Sequence, residues 1–278
     1  MFTLNYKGKL LSIAQPIVMG IVNTTPDSFY TNSQQQSIES AFLTAEKMLQ
    51  DGAAIVDIGA QTTKPESSEV GIEEELKRAI PVIEKIHTTF PEAIISIDTY
   101  HAIVAKKAVE AGASIVNDVS GGLMDKQMLP TVAALHVPFI CMHMKGTPKN
   151  MQQNPTYNNV TEEIFTFFIE RIEACKKAGI NDVIIDPGFG FGKTIEHNYT
   201  LLKQLAAFKI LQKPILLGVS RKSMIYKPLE ITANEALNGT TVLHTIGLLN
   251  GASILRVHDV KEAIECIKLT QLYNQSKI

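Results

Sequence analysis

The chain has 278 residues, 45% hydrophobic and 19% charged, with Lys+Arg 26 against Asp+Glu 28. That balance excludes a disordered chain, which lacks the apolar content for a core, and a nucleic-acid surface, which needs an excess of Lys and Arg on one face. Three separated cysteines, Cys141, Cys175 and Cys266, offer neither a disulfide framework nor zinc spacing and fit a cytoplasmic protein, and no segment is apolar for long enough to span a bilayer.

From the N-terminus, Met1–Ile13 reads as a small hairpin with Lys7-Gly8-Lys9 as its turn. Ile17–Val22 follows as a buried strand and not a secretion signal, because Asn23-Thr24-Thr25-Pro26-Asp27 carries no cleavage pattern. Similar runs recur at Ala53–Ile58, Ala93–Ile97, Ala113–Val116, Val137–Cys141, Asp182–Ile185, Pro214–Val219 and Ala252–Val257. Their near-continuous apolar character is that of parallel strands covered on both faces. Helical spacing of apolar residues fills the gaps, over Ile38–Gln50, Ile72–Thr88, Ala102–Glu110, Met128–Leu135, Val160–Ala178, Tyr199–Phe208, Glu235–Leu249 and Lys261–Leu272. Gly52, Gly112, Gly179 and Gly251 each stop a helix just before a strand. Eight strands alternating with about eight helices predict one α/β domain, an eight-fold β/α barrel with the hairpin closing its bottom.

In such a barrel the chemistry sits on the loops after the strands. The runs end in Asn23, in Asp57 with Thr62-Thr63-Lys64, in Asp98, in Asn117-Asp118, in Met142-His143, in Asp186, in Ser220-Arg221-Lys222, and in Arg256 with His258. A cap or a surface salt bridge explains any one of these; a shared site explains all eight. Ser220-Arg221-Lys222 and Arg256-x-His258, after strands seven and eight, are placed to hold an anion. Asp98 and Asp186 follow apolar runs and need donors, which a planar heterocycle with adjacent N–H groups supplies, with Lys222 and Asn117 completing the frame. Gly188–Lys193 fits neither Gly-rich phosphate fingerprint and reads as a flexible wall carrying Phe191. Asn23–Phe29 and Thr62–Gly71 read as mobile covering loops. His143 reads as a core residue; no metal-binding cluster and no Gly-x-Ser-x-Gly elbow are present.

These motifs, in order, resemble the dihydropteroate synthase family, a pterin-binding TIM barrel of folate biosynthesis and the sulfonamide target. The resemblance rests on Asn23–Phe29, Asp57-Ile58-Gly59, Thr63-Lys64-Pro65, Ser96–Thr99, Asn117–Gly122, Met142–Gly146, Asp186–Lys193, Gly218–Ser223 and Arg256–Val260. It implies condensation of 6-hydroxymethyl-7,8-dihydropterin diphosphate with 4-aminobenzoate. Asp98, Asn117, Met142, Asp186, Phe191, Gly218 and Lys222 would bind the pterin. Asn23, Thr63, Arg256 and His258 would bind the diphosphate, with Asn23 a Mg2+ ligand. Thr63, Lys64, Ser220, Arg221 and Lys222 would lie near aminobenzoate, and the catalytic set would be Asp98, Lys222, Arg256 and His258. The resemblance also implies a homodimer. In this chain Lys64 stands where the family usually has arginine, Ala60-Gln61 where it has Gly-Glu, and Thr31-Asn32-Ser33 where it has an acidic, Gly-rich stretch. Two other readings are a pterin-binding methyltransferase, which has no diphosphate to hold, and a catalytically silent pterin-binding barrel.

Overall fold

The structure is a computed structural model that describes residues 1–24, 34–60, 70–147, 150–151 and 153–276. The chain opens with an antiparallel hairpin, β1 (Phe2–Tyr6) and β2 (Lys9–Ile13), turned by Lys7 and Gly8 at φ 50° and 83°. Two positive φ angles match the right-handed twist of the flanking strands. Then come β3 (Ile17–Asn23), α1 (Gln34–Gln50), β4 (Ile55–Gly59), α2 (Ile72–Thr89), β5 (Ile94–Asp98), α3 (Ala102–Ala111) and β6 (Ile115–Asp118). The second half holds α4 (Met128–Leu135), β7 (Phe139–Met142), α5 (Val160–Ala178), β8 (Val183–Asp186), α6 (Ile195–Lys203), β9 (Leu216–Leu217), α7 (Ser223–Tyr226), α8 (Leu237–Leu249), β10 (Ile254–Val257) and α9 (Val260–Gln275). Strands β3 to β10 form one parallel sheet in the order β8-β7-β6-β5-β4-β3-β10-β9, and a bridge between Ile185 and Ile215 joins its two edges. The predicted eight-fold barrel is therefore the fold.

Local chemistry sets the helix limits. Asn159 caps α5 by accepting from the N–H groups of Thr161 and Glu162; Glu162 and Glu163 sit in the first turn, Lys176 and Lys177 in the last, and Gly179 closes it. The four joint glycines have φ between 97° and 130°. Two predicted helices differ. Tyr199–Phe208 divides into α6 and a 3-10 turn at Leu205–Leu211, because Thr194 starts α6 early by accepting from the His197 N–H. Glu235 belongs to a 3-10 turn, where its carboxylate takes the Thr232 N–H, and α8 begins at Leu237.

Strand parity decides what faces the barrel interior. Met19, Ile55, Ile94, Ile115, Ile140, Ile184, Leu216 and Ile254 form the inner bottom layer, plugged by Leu4 and Ile13 of the hairpin. Their neighbours Val18, Val56, Ile95, Val116, Cys141, Ile185, Leu217 and Leu255 belong to the separate cluster packed against the helices. Each of these large side chains gains about 1.5–3 kcal/mol on burial, so a one-residue register slip is strongly disfavoured. Two residues above the bottom layer, the interior positions are Ile21, Asp57, Ser96, Asn117, Met142, Asp186, Gly218 and Arg256. Asn23, Gly59, Asp98, Ser220 and His258 stand two residues higher again, at the mouth. The packing that closes the barrel bottom thus aims the polar residues inward at its top.

Candidate active site

Arg256, from β10, crosses the pocket to two carboxylates. Its Nε donates to Asp57 Oδ2 at 2.7 Å, and its Nη2 reaches Asp98 Oδ2 at 2.6 Å. Asn117 Nδ2 also donates to Asp57 Oδ2, at 3.1 Å. Four strands are thereby tied at one point. One guanidinium serves two acids, so burial, with Asp57 adding to it against the opposing pull of Arg256, pushes Asp98 up to about 7.

Asp186 and Lys222 form the opposite wall. Asp186 Oδ1 accepts the Gly188 N–H at 2.8 Å. A Cβ on Gly218 would stand 3.7 Å from Lys222 Nζ and 3.8 Å from Asp186 Oδ2, so the small residue leaves both groups facing the pocket. Lys222 Nζ donates to the Phe189 carbonyl at 2.6 Å and lies 4.6 Å from the centre of the Phe191 ring. Burial lowers it to about 8 in spite of Asp186. Asp186 is raised by its own burial, opposed by Lys222. Met142, Phe191, Tyr100, Val119 and Met151 supply an apolar edge.

The segment Gly188–Lys193 is not a flexible wall. Lys193, 3% exposed, donates to the carbonyls of Gly188 (2.9 Å) and Phe191 (3.1 Å) and lies 3.0 Å from His143 Nδ1. Burial of His143, with Lys193 beside it, holds its imidazole neutral by lowering it to about 2, which agrees with its reading as a core residue. Gly188 has φ 70°, and a Cβ there would come within 1.9 Å of the His143 carbonyl oxygen. Gly188→Ala is expected to lower the thermal unfolding midpoint by several degrees, corresponding to roughly 2 kcal/mol or more. Gly8→Ala, strained in φ alone with nothing within 4 Å, is the comparison and should cost less.

At the mouth, Ser220 and Arg221, expected near aminobenzoate, are each held by partners within the chain. Arg221, at φ 54°, closes its fork on Asp259, Nε to Oδ2 at 2.8 Å and Nη2 to Oδ1 at 2.7 Å, while Nη1 donates to the Asn234 carbonyl at 3.1 Å. With its fork occupied, it clamps the loop after β9 to the loop after β10. The Ser220 side chain, 4% exposed, turns to His258: Oγ accepts the His258 backbone N–H at 3.2 Å and shares a hydrogen bond with Nδ1 at 3.0 Å. Burial and the Arg256 charge lower His258 to about 4, so its imidazole is neutral at pH 7. Asn23 is exposed at the mouth, its Oδ1 4.0 Å from a Cβ placed on Gly59. Thr63 and Lys64, with Thr25–Phe29 and most of the second covering loop, lie outside the described residues.

Sequence reasoning placed Asp57 among the strand-end residues of a shared site without naming a partner or a specific role for it, and gave no role to Lys193 or Asp259. Asp57 had a signal, a charge inside the apolar run Ile55–Gly59 that can be buried only with a partner. Nothing local marks Lys193 as buried.

The sequence pattern of the family described as "Pterin binding enzyme" matches residues 19–258. Dihydropteroate synthase of Escherichia coli is 42% identical over 267 residues, covering 95% of this chain and 94% of the relative. The chain belongs to the dihydropteroate synthase family. The solved structure of Yersinia pestis dihydropteroate synthase with a sulfonamide drug has TM-score 0.92 at 38% identity, covering 99% of this chain and 100% of the other. The Xanthomonas albilineans dihydropteroate synthase in complex with 7,8-dihydropteroate has TM-score 0.87 at 33% identity, covering 99% of each chain. The chain is accordingly a transferase of folate biosynthesis, and the methyltransferase reading finds no support among these relatives.

Proposed function

We propose that the pocket joins 6-hydroxymethyl-7,8-dihydropterin diphosphate to 4-aminobenzoate, with the pterin at the barrel's centre and the diphosphate at its mouth. The observation that carries this is the polarity of the interior: Asp186 and Asn117 are buried and Asp98 half-buried beside the apolar edge of Met142 and Phe191, while Arg256 stands on β10 and His258 just past its end at the rim. Asp186 accepts from adjacent pterin N–H groups, Lys222 donates to the ring's carbonyl side, and Asn117 and Asp98 hold its other edge. The C–O bond to the diphosphate breaks as the electron-rich ring stabilises the CH2 carbon. The arylamine nitrogen then bonds to that carbon and loses a proton to water. Arg256 and His258 offset the charge that develops on the departing diphosphate. Thr63, Lys64 and Lys222 complete the aminobenzoate end.

Among the described residues no three carboxylate, imidazole or thiolate ligands converge on a metal. The donor set fits a Mg2+ held by the hard carboxamide oxygen of Asn23 and by substrate phosphate oxygens, the usual mode for this ion. Bound there, Mg2+ would supply charge neutralisation at the diphosphate. A homodimer is supported by exposed apolar rows on two packed helices, Val242, Ile246 and Leu249 on α8 and Leu269, Leu272 and Tyr273 on α9. No described helix is long and apolar enough to cross a membrane, and a cytoplasmic location is supported by three buried free thiols.

The reading is tested by mass-spectrometric detection of 7,8-dihydropteroate from the two substrates, with a sulfonamide competing against 4-aminobenzoate; absence of that product overturns it. It also sets a pH dependence. Lys222 is charged below about 8, so pterin affinity should weaken as the pH rises through that value. Calorimetric titration of pterin between pH 6.5 and 9.5 checks this, and a flat profile removes the Lys222 ammonium from recognition.

A further inference from the structure

The hydroxyl of Ser220 has two hydrogen-bond partners among the described residues, and both belong to His258. The His258 backbone N–H can only donate, so at that contact Ser220 Oγ is the acceptor. The hydroxyl hydrogen of this buried side chain then has one acceptor within reach, Nδ1 of the same histidine, 3.0 Å away. An imidazole that accepts at Nδ1 carries its proton on Nε2. Nε2 has no hydrogen bond among the described residues, and His258 lies at the mouth, two residues beyond Arg256 on the same inward-facing line, exposed as a residue but with the Nδ1 side of its ring partly buried against Ser220.

We infer that Ser220 is a positioning residue that fixes His258 as the Nε2–H tautomer, so that a neutral N–H donor is presented to the departing diphosphate. The alternative tautomer would aim a lone pair at an anion and leave the serine hydrogen without an acceptor. A doubly protonated ring would also leave that hydrogen without one. The surrounding charges agree: Arg256, Arg221 and Lys222 all disfavour a further cation on His258, against Asp259 alone, and burial acts in the same direction. Arg256 thus supplies the charge while His258 supplies direction. The clamp between Arg221 and Asp259 fixes the distance between the two loops on which this depends.

This inference rests on the reading of the mouth as the diphosphate end, and the experiment separates the two. Histidine labelled with 15N, with His258 assigned by the loss of its signals in His258→Gln, reports which ring nitrogen bears the proton in the wild-type protein at pH 7. The expected result is a protonated Nε2 and a bare Nδ1. A proton on Nδ1 in the wild-type protein overturns the inference, whatever the enzyme's activity. In Ser220→Ala the two tautomers should mix, and kcat/KM for the pterin diphosphate should fall about tenfold, the size of one lost hydrogen bond. Affinity for a pterin lacking the diphosphate should stay within twofold. Ser220→Thr, which keeps the hydroxyl, should restore both the tautomer and the rate. A single Nε2–H tautomer in Ser220→Ala, or equal losses for both pterins, also overturns the inference. If Ser220→Ala does not fold, the wild-type and Ser220→Thr spectra still decide. If the wild-type protein shows the expected tautomer but releases no diphosphate, it is the reaction that fails.

Discussion

Arg256→Ala is expected to give a protein that is both less stable and markedly slower. The guanidinium bonds Asp57 and Asp98 together inside a pocket where Asp57 is fully buried. Without it, two carboxylates face each other, and among the described residues Asn117 is the one side-chain donor left to Asp57. Removing one partner of a buried ion pair costs about 3–5 kcal/mol, which for a chain of this size lowers the unfolding midpoint by on the order of 10 °C. The pH dependence has a definite sign. Asp98 already titrates near 7 in the folded protein, above the 3.8 of an unperturbed aspartate. The stability associated with its proton is complete below about 4 and is lost as the pH rises through about 7. Removal of the cation extends that loss to higher pH, so the variant should be closest to wild type in acid and furthest from it in base. Turnover should fall by about tenfold or more, because a charge-assisted contact to the diphosphate is worth roughly 1.5–3 kcal/mol. Thermal melts from pH 5 to 9 and a steady-state rate measure both effects. A melting curve and a rate close to wild type would remove Arg256 from the centre of the site.

Asp186→Asn is expected to abolish pterin binding while leaving the barrel folded. In the wild type Oδ1 is held by the Gly188 N–H, and Oδ2 lies near the open face that Gly218 leaves. An amide at this position must keep its oxygen toward Gly188, since the other orientation sets two donors against each other. Its NH2 then meets the pterin N–H groups, donor against donor. Loss of hydrogen bonds to a charged acceptor, with a donor left unpaired, costs roughly 3–6 kcal/mol, or at least two orders of magnitude in affinity. Lys222 loses the carboxylate that favours its charged form and should titrate below its wild-type value of about 8. Calorimetry with a pterin, together with a melt to show that the variant is folded, checks the first effect. An affinity within threefold of wild type would mean that Asp186 is not the pterin's acceptor.

Much of this site is legible in the sequence, for a specific reason. In a closed parallel sheet, the residue that ends each apolar run is carried to the mouth, and alternation along the strand decides whether it faces in. Asp98, Asn117, Asp186, Gly218 and Arg256 lie on the inward parity, counted from the buried Ile or Leu two or four residues earlier. What sequence could not give is who pairs with whom. The Arg256–Asp57–Asp98 bracket depends on β10 closing beside β3, so that residues separated by 199 and 158 positions meet. The turn of Ser220 to His258 and the locking of Arg221 on Asp259 depend in the same way on two loops meeting across 38 positions. Glycine-rich sequence suggested mobility at Gly188–Lys193. There the glycines instead permit close approach of one backbone to another, as at Gly188 against the His143 carbonyl, and a buried lysine locks the result.

The central claim is that these converging residues expel diphosphate from a bound pterin as an arylamine takes its place. The most direct measurement is diphosphate release by the purified protein, with pterin diphosphate, 4-aminobenzoate and Mg2+ present together and then each omitted in turn. Release that requires both substrates, that collapses without Mg2+ and that is slowed by about tenfold or more in Arg256→Ala is the predicted result. No release with all three present, or a rate unchanged when 4-aminobenzoate is left out, would contradict it.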